Sequence, residues 1–128
     1  MQRPVLLYDG GCRLCRWAAR VAASLDREEA LALLPLADDE TAAVLAGIPE
    51  AARAECWWLV ARDGTALRGD EGGGVALLGE VRLTRVLGAA VKRLELSAAV
   101  DAFDRLVSRH RRRLGRLVPD GPAPRRYP

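Results

Sequence analysis

Val5-Leu6-Leu7-Tyr8 is an unbroken apolar run that Asp9-Gly10-Gly11 ends abruptly. A short run without alternation, closed by an Asp-Gly-Gly turn signal, reads as a buried strand. The period then changes. From Arg13 to about Arg27 the apolar residues Leu14, Ala18, Val21, Ala22 and Leu25 fall at helical steps, while Arg13, Arg16 and Arg20 take the other face. The chain therefore opens as strand, glycine turn, helix. The next strand must either pair with the first in parallel or abandon it.

A second apolar run, Leu31 to Leu36, supplies that strand, and Pro35 near its end suits an edge or a strand terminus. Acidic residues at Asp38-Asp39-Glu40 predict a short helix over about Asp39 to Leu45, broken at Gly47-Ile48-Pro49. Cys56 to Ala61 reads as a third strand. The Asp63-Gly64 pair turns it into a short fourth strand, Thr65 to Arg68. Gly69 to Gly74 is expected to be flexible and polar, with Asp70 and Glu71 in solvent. Helical spacing returns at Leu83, Val86, Leu87, Ala90, Val91 and Leu94. It returns again at Val100, Phe103, Val107, Leu114 and Leu117, where Ser97 stands as a cap. The order β-α-β-α-β-β then C-terminal helices, with a right-handed parallel crossover, gives a small mixed sheet with helices on both faces. This is a thioredoxin-like α/β layout. One domain is expected over residues 1–118, followed by a Pro-rich flexible tail over 119–128.

Three cysteines in 128 residues exclude a secreted disulfide scaffold, which would show a larger, even number. No apolar stretch approaches the roughly 20 residues that span a bilayer, and no signal-peptide pattern opens the chain. The expectation is a cytoplasmic protein without a membrane span. In that compartment a C-x-x-C pair is catalytic or metal-binding before it is structural.

Cys12 and Cys15 form such a pair at the mouth of the first helix. Disulfide exchange needs an attacking thiolate and a second sulfur within reach, and one helical turn supplies that reach. Free N–H groups at the helix start favour an anion at Cys12, and Arg13 and Arg16 add positive charge. Asp9 opposes them, or accepts the proton of Cys15. With the apolar face centred near Val21 and Leu25, Cys12 falls farther from that face than Cys15. Cys12 is then the exposed attacker and Cys15 the shielded, resolving cysteine. A tetrahedral zinc site would need four ligands, and beyond this pair only Cys56 and His110 remain, unpaired. No metal and no other cofactor is expected.

Tyr8-Asp9-Gly10-x-Cys12-x-x-Cys15 after an apolar strand resembles the DCC-type family of thiol-disulfide oxidoreductases, named for its Asp-Cys-Cys motif. The likeness continues more weakly through Leu34-Pro35-Leu36, Asp63-Gly64, Gly69 and Phe103-Asp104-x-x-Val107-x-x-x-Arg111, to about Arg116. Gly11 stands where the family commonly carries an acidic or polar residue. The resemblance implies a thioredoxin-like fold and Asp9, Cys12 and Cys15 as the motif residues.

Cys56 is expected as a buried small residue. Trp57 and Trp58 should point to opposite faces of their strand, and His110 should be half-buried. The Gly72-Gly73-Gly74 run lacks the lysine and hydroxyl of a phosphate loop. The arginines of the last helix read as a solvated face; nucleic acid is a poor fit without interleaved aromatics. The expected function is thiol-disulfide exchange through Cys12 and Cys15, supported by Asp9, Tyr8, Gly10, Arg13 and Arg16, on a protein or small-molecule thiol or disulfide. The alternative is a non-catalytic partner-binding module that docks through its basic last helix.

Overall fold

The computed structural model of the protein describes residues 3–46, 48–53 and 56–127. Met1, Gln2 and Pro128, at the ends of the expected domain and tail, and Gly47, expected to break the second helix, lie outside the described residues. The chain runs β1 (Val5–Tyr8), α1 (Arg13–Leu25), β2 (Ala32–Pro35), α2 (Thr41–Val44), α3 (Glu50–Arg53), β3 (Trp58–Val60) and β4 (Ala66–Arg68). A wide turn, Gly69–Gly73, leads into α4 (Gly74–Glu80). A tight turn, Arg82–Thr84, leads into α5 (Arg85–Arg93), followed by α6 (Ser97–Arg109) and α7 (Arg111–Gly115).

The strands form one mixed sheet in the order β2-β1-β3-β4. β1 pairs β2 in parallel, from Val5 with Ala32 to Tyr8 with Pro35, and pairs β3 antiparallel, Leu6 opposite Leu59. β4 folds back antiparallel on β3. The expected α/β class with a parallel crossover and an antiparallel hairpin is therefore present. β1 is buried at all four residues because it is central and covered on both faces. Val5, Leu7, Ala32, Leu34, Trp58 and Val60 face Leu45 and Val44 near α2. Leu6, Tyr8 and Leu33 face Ala19 and Ala22 of α1, and Leu31 and Leu59 face α4. Trp57 and Trp58 do point to opposite sides.

The helices depart from their sequence pattern in four places. α1 buries Leu14 and Ala19, whereas Val21 and Leu25 are over a third exposed. Alanines let the helix lie close on the sheet, and their small apolar signal let the larger side chains misplace the face. The single helix expected at the C-terminus breaks at His110, which is exposed rather than half-buried, its Nδ1 3.0 Å from the Leu106 carbonyl. Ser97 begins α6 and makes no capping bond. Phe103 and Leu117, expected in the core, are 67% and 81% exposed. α6 instead turns Asp104, Val107 and Ser108 inward.

The glycine-rich stretch is built rather than loose. Gly69 and Gly73 are buried, and Asp70 is held by Arg68 at 3.0 Å and by Arg105 at 3.9 Å. Among the described residues no helix is long and apolar enough to cross a membrane.

The expectation of a loose tail also differs from the structure. Pro119 to Tyr127 lies along α1 and the outer edge of β2. Arg20 donates to the carbonyls of Pro119 and Pro122, and the backbones of Arg126 and Leu33 exchange hydrogen bonds at 2.7 and 2.8 Å. This bridge covers the open edge of β2, which would otherwise present unpaired N–H and C=O groups. The Arg126 guanidinium then reaches Asp26, 2.6 Å away. Asp26 is 2% exposed and caps the end of α1, accepting the N–H groups of Ala30 and Leu31. Composition predicted looseness because proline cannot join a ladder; it does not register side chains reaching from α1 to the carbonyls that proline retains.

Removing one partner of a buried ion pair leaves a charge without compensation and costs about 3–5 kcal/mol. Arg126 is partly exposed, so Arg126→Ala should cost about 2–3 kcal/mol, read by chemical denaturation. Arg125→Ala, which removes only surface pairs to Asp38 and Glu40, should cost much less. Equal losses for the two variants would show that the tail does not seal Asp26.

Candidate active site

β1 delivers the turn, and the turn delivers the cysteines. Asp9 closes a small ring: its Oδ1 accepts the Gly11 N–H at 2.9 Å, and its carbonyl accepts the Cys12 N–H at 3.2 Å. Cys12 is then extended, at φ −100° and ψ 121°, and occupies the N-cap of α1. Its Sγ accepts the backbone N–H of Cys15 at 3.3 Å, satisfying one of the donors that a helix start leaves open. The Cys15 thiol, one turn on, hydrogen-bonds back to Cys12.

Both cysteines are half-buried. They differ in surroundings rather than in exposure class. Cys15 shares a stripe with Ala19 and Ala22 and faces an apolar cleft of about 280 Å³ between α1, α4 and α6; Leu6, Leu14, Trp17 and Leu77 make its apolar walls. Burial pushes the Cys15 thiol far up, the contact with Cys12 and the charge of Asp9 add to that, and Arg111 offsets part of it. Arg111 Nη1 stands 3.8 Å from Asp9 Oδ2, so the two charges hold each other at the cleft mouth.

The supporting residues bind the tail more than they face the sulfurs. Arg16 donates to the carbonyls of Gly10 (3.0 Å) and Gly121 (3.1 Å) and pairs with Asp120 at 2.7 Å. Arg13 donates to the Val118 carbonyl at 3.0 Å. Tyr8 is buried, and its hydroxyl donates to the Pro124 carbonyl. Burial pushes its pKa up to about 12, with Arg16 and Arg20 pulling the other way. Gly10 is pressed on Pro35: a Cβ there would sit 3.3 Å from the proline's own.

Asp104 and Arg111 appear in the late-helix pattern but were not singled out as site residues. Their spacing with Ser108 (i, i+4, i+7) is one helical stripe, and that stripe is a wall of the cleft. The break at His110 lets α7 swing onto the mouth of α1, where a Cβ added at Gly115 would sit 3.5 Å from the Leu14 nitrogen, and brings Arg111 to Asp9. Asp104 Oδ1 accepts the Trp57 indole N–H at 3.0 Å; its Oδ2 is buried with no partner among the described residues. Burial pushes the Asp104 carboxyl up, with the Trp57 hydrogen bond offsetting part. Cys56 is buried at the same cleft, and burial raises its thiol also.

Comparison with curated proteins and with solved structures finds no match. A family model does match, over residues 6–117, and its description is DCC1-like thiol-disulfide oxidoreductase. That span runs from the central strand through the helix carrying Arg111 and includes the Asp9-Cys12-Cys15 turn. The chain belongs to the DCC1-like thiol-disulfide oxidoreductase family.

Proposed function

We propose that the protein exchanges disulfides through Cys12 and Cys15, with Cys12 as the attacking sulfur, Cys15 as the resolving one and Asp9 as the proton acceptor. The observation that carries this reading is the cap. Cys12 Sγ takes an open N–H in the first turn of α1, that of Cys15, and the Cys15 thiol touches it from one turn on.

The steps balance as follows. The Cys12 thiolate attacks one sulfur of a substrate disulfide. That S–S bond breaks, the second substrate sulfur leaves as a thiolate and takes a proton from water, and a Cys12–substrate disulfide forms. The Cys15 thiol gives its proton to the Asp9 carboxylate and attacks the Cys12 sulfur. The remaining substrate sulfur leaves, and Cys12–Cys15 closes as a disulfide. Two electrons have passed from the dithiol to the substrate, and an external dithiol must return them. Burial disfavours a resting Cys15 thiolate, so resolution depends on where its proton goes.

Under limiting alkylating agent at neutral pH, Cys12 should be labelled before Cys15 and Cys56. Cys15→Ser should accumulate a stable mixed disulfide on Cys12, seen by mass. Labelling of Cys56 first would contradict the assignment.

The pH dependence separates two roles for Asp9. If it takes the proton, resolution in the wild type is nearly independent of pH above neutrality. Asp9→Asn should then slow it by about a hundredfold at pH 7, with the rate climbing about tenfold per pH unit as the Cys15 thiolate fraction grows. If Asp9 acts only by its charge, Asp9→Asn relieves the repulsion on the Cys15 thiolate and resolution accelerates. Stopped-flow release of a thiol chromophore from preformed mixed disulfide reads the sign.

A further inference from the structure

The dithiol reading leaves three features without a role: the apolar cleft beside Cys15, the unpartnered oxygen of Asp104, and the arginines that follow α6. They are contiguous. Ser108 and Arg111 line the apolar cleft and also a polar hollow of about 420 Å³ formed by residues 108–113. That hollow holds Arg109, Arg111, Arg112 and Arg113 and no acidic residue. Arg111 has Asp9 for a partner. Arg109, Arg112 and Arg113 are exposed, with no carboxylate in ion-pair range among the described residues.

Resting on the dithiol reading, we propose that this face selects a polypeptide substrate: an apolar side chain beside the substrate's cysteine enters the cleft, and carboxylates on the same segment pair with Arg109, Arg112 and Arg113. At about 280 Å³ the cleft lies at the lower edge of ligand sites, which run from roughly 300 to 1,000 Å³, and it has room for a large apolar side chain. The Asp104 Oδ2 is buried within that wall and stays out of reach of a chain laid across the opening. Charge complementarity supplies the acidic part: a cluster of like charges with no partner of its own is relieved by carboxylates. A nucleic acid would satisfy the arginines but leave the apolar cleft unfilled, and Trp57 is tied to Asp104 and covered by Gly69, so it offers no free face for a base.

The test uses the whole protein and four short peptides. The first has leucine beside its cysteine and two aspartates following. The second has alanine for the leucine, the third has lysines for the aspartates, and the fourth carries both changes. Binding is read by tryptophan fluorescence with serine in place of each cysteine, because Trp17 and Trp57 line the cleft. The first peptide should bind about tenfold more tightly than the second, as burial of a leucine side chain implies. It should also lead the third, and added salt should shrink only that second preference. Ala18→Phe, which fills the cleft from an exposed position of α1, should remove the leucine preference. Arg112→Glu with Arg113→Glu should reverse the charge preference.

Turnover of hydroxyethyl disulfide by the wild type reports the dithiol reading separately. Turnover of that disulfide with all four peptides bound alike within about twofold overturns the proposal and leaves the redox reading standing. Peptide preference without any disulfide turnover keeps the docking face and overturns the redox reading. Tighter binding of a single-stranded oligonucleotide than of the first peptide at the same salt overturns the peptide assignment.

Discussion

Everything at the candidate active site hangs on β1 having partners on both edges and cover on both faces. β2 and β3 hold its backbone, and its four side chains are buried in alternation against α2 and α1. A strand held this way cannot slip in register without moving Leu6 and Tyr8 out of one core and Val5 and Leu7 out of the other. Its end point is therefore fixed, and so is the direction in which Asp9-Gly10-Gly11 leaves the sheet. The cap by Cys12 and the contact with Cys15 follow from that direction. Placing the dithiol after a central strand gives it the stiffest support the fold offers, while the turn itself stays at the surface.

Arginine, the dominant cation of this chain, works locally in two ways. On α1, Arg13, Arg16 and Arg20 spend their donors on backbone carbonyls of the tail, from Val118 to Pro122. The planar fork suits this, since several donors leave one side chain in fixed directions. The consequence is that Arg13 and Arg16 are tied to the tail, though Arg16 still acts on Cys12 and Asp9, and the cation acting on Cys15 comes from α7, about a hundred residues away. α7 packs against α1 there, with Gly115 beside Arg13 and Leu14.

The strands, the hairpin, the parallel crossover and the Asp-Cys-Cys turn were legible because each depends on neighbours in sequence: an apolar run, an Asp-Gly pair, a cap residue before a helical period. Three things were not. The buried face of α1 is set by Ala19 and Ala22, whose weak apolar signal lost to Val21 and Leu25. The docking of residues 119–127 depends on guanidinium groups from α1 and on Asp26, contacts that no local pattern encodes. Asp104 and Arg111 were visible as a helical stripe, but which side of the stripe mattered depended on the break at His110. For the tail and for Arg111, the deciding contact joins segments roughly a hundred residues apart.

The two sulfurs end up asymmetric for a reason that exposure alone does not give. Both are half-buried, yet Cys12 meets a backbone N–H whereas Cys15 meets an apolar wall, a carboxylate and a distant guanidinium. The apolar wall disfavours the charged form of Cys15. The difference persists however the surface side chains move, because it is made by the helix start on one side and the packed cleft on the other. Charge then acts on Cys15 from both directions. Asp9 keeps its proton on and Arg111 helps it leave, and the two lie 3.8 Å apart. Any substrate group that draws Arg111 away from Asp9 changes the balance at Cys15 without touching either sulfur. The acidic segment proposed to pair with Arg112 and Arg113 would lie next to that guanidinium.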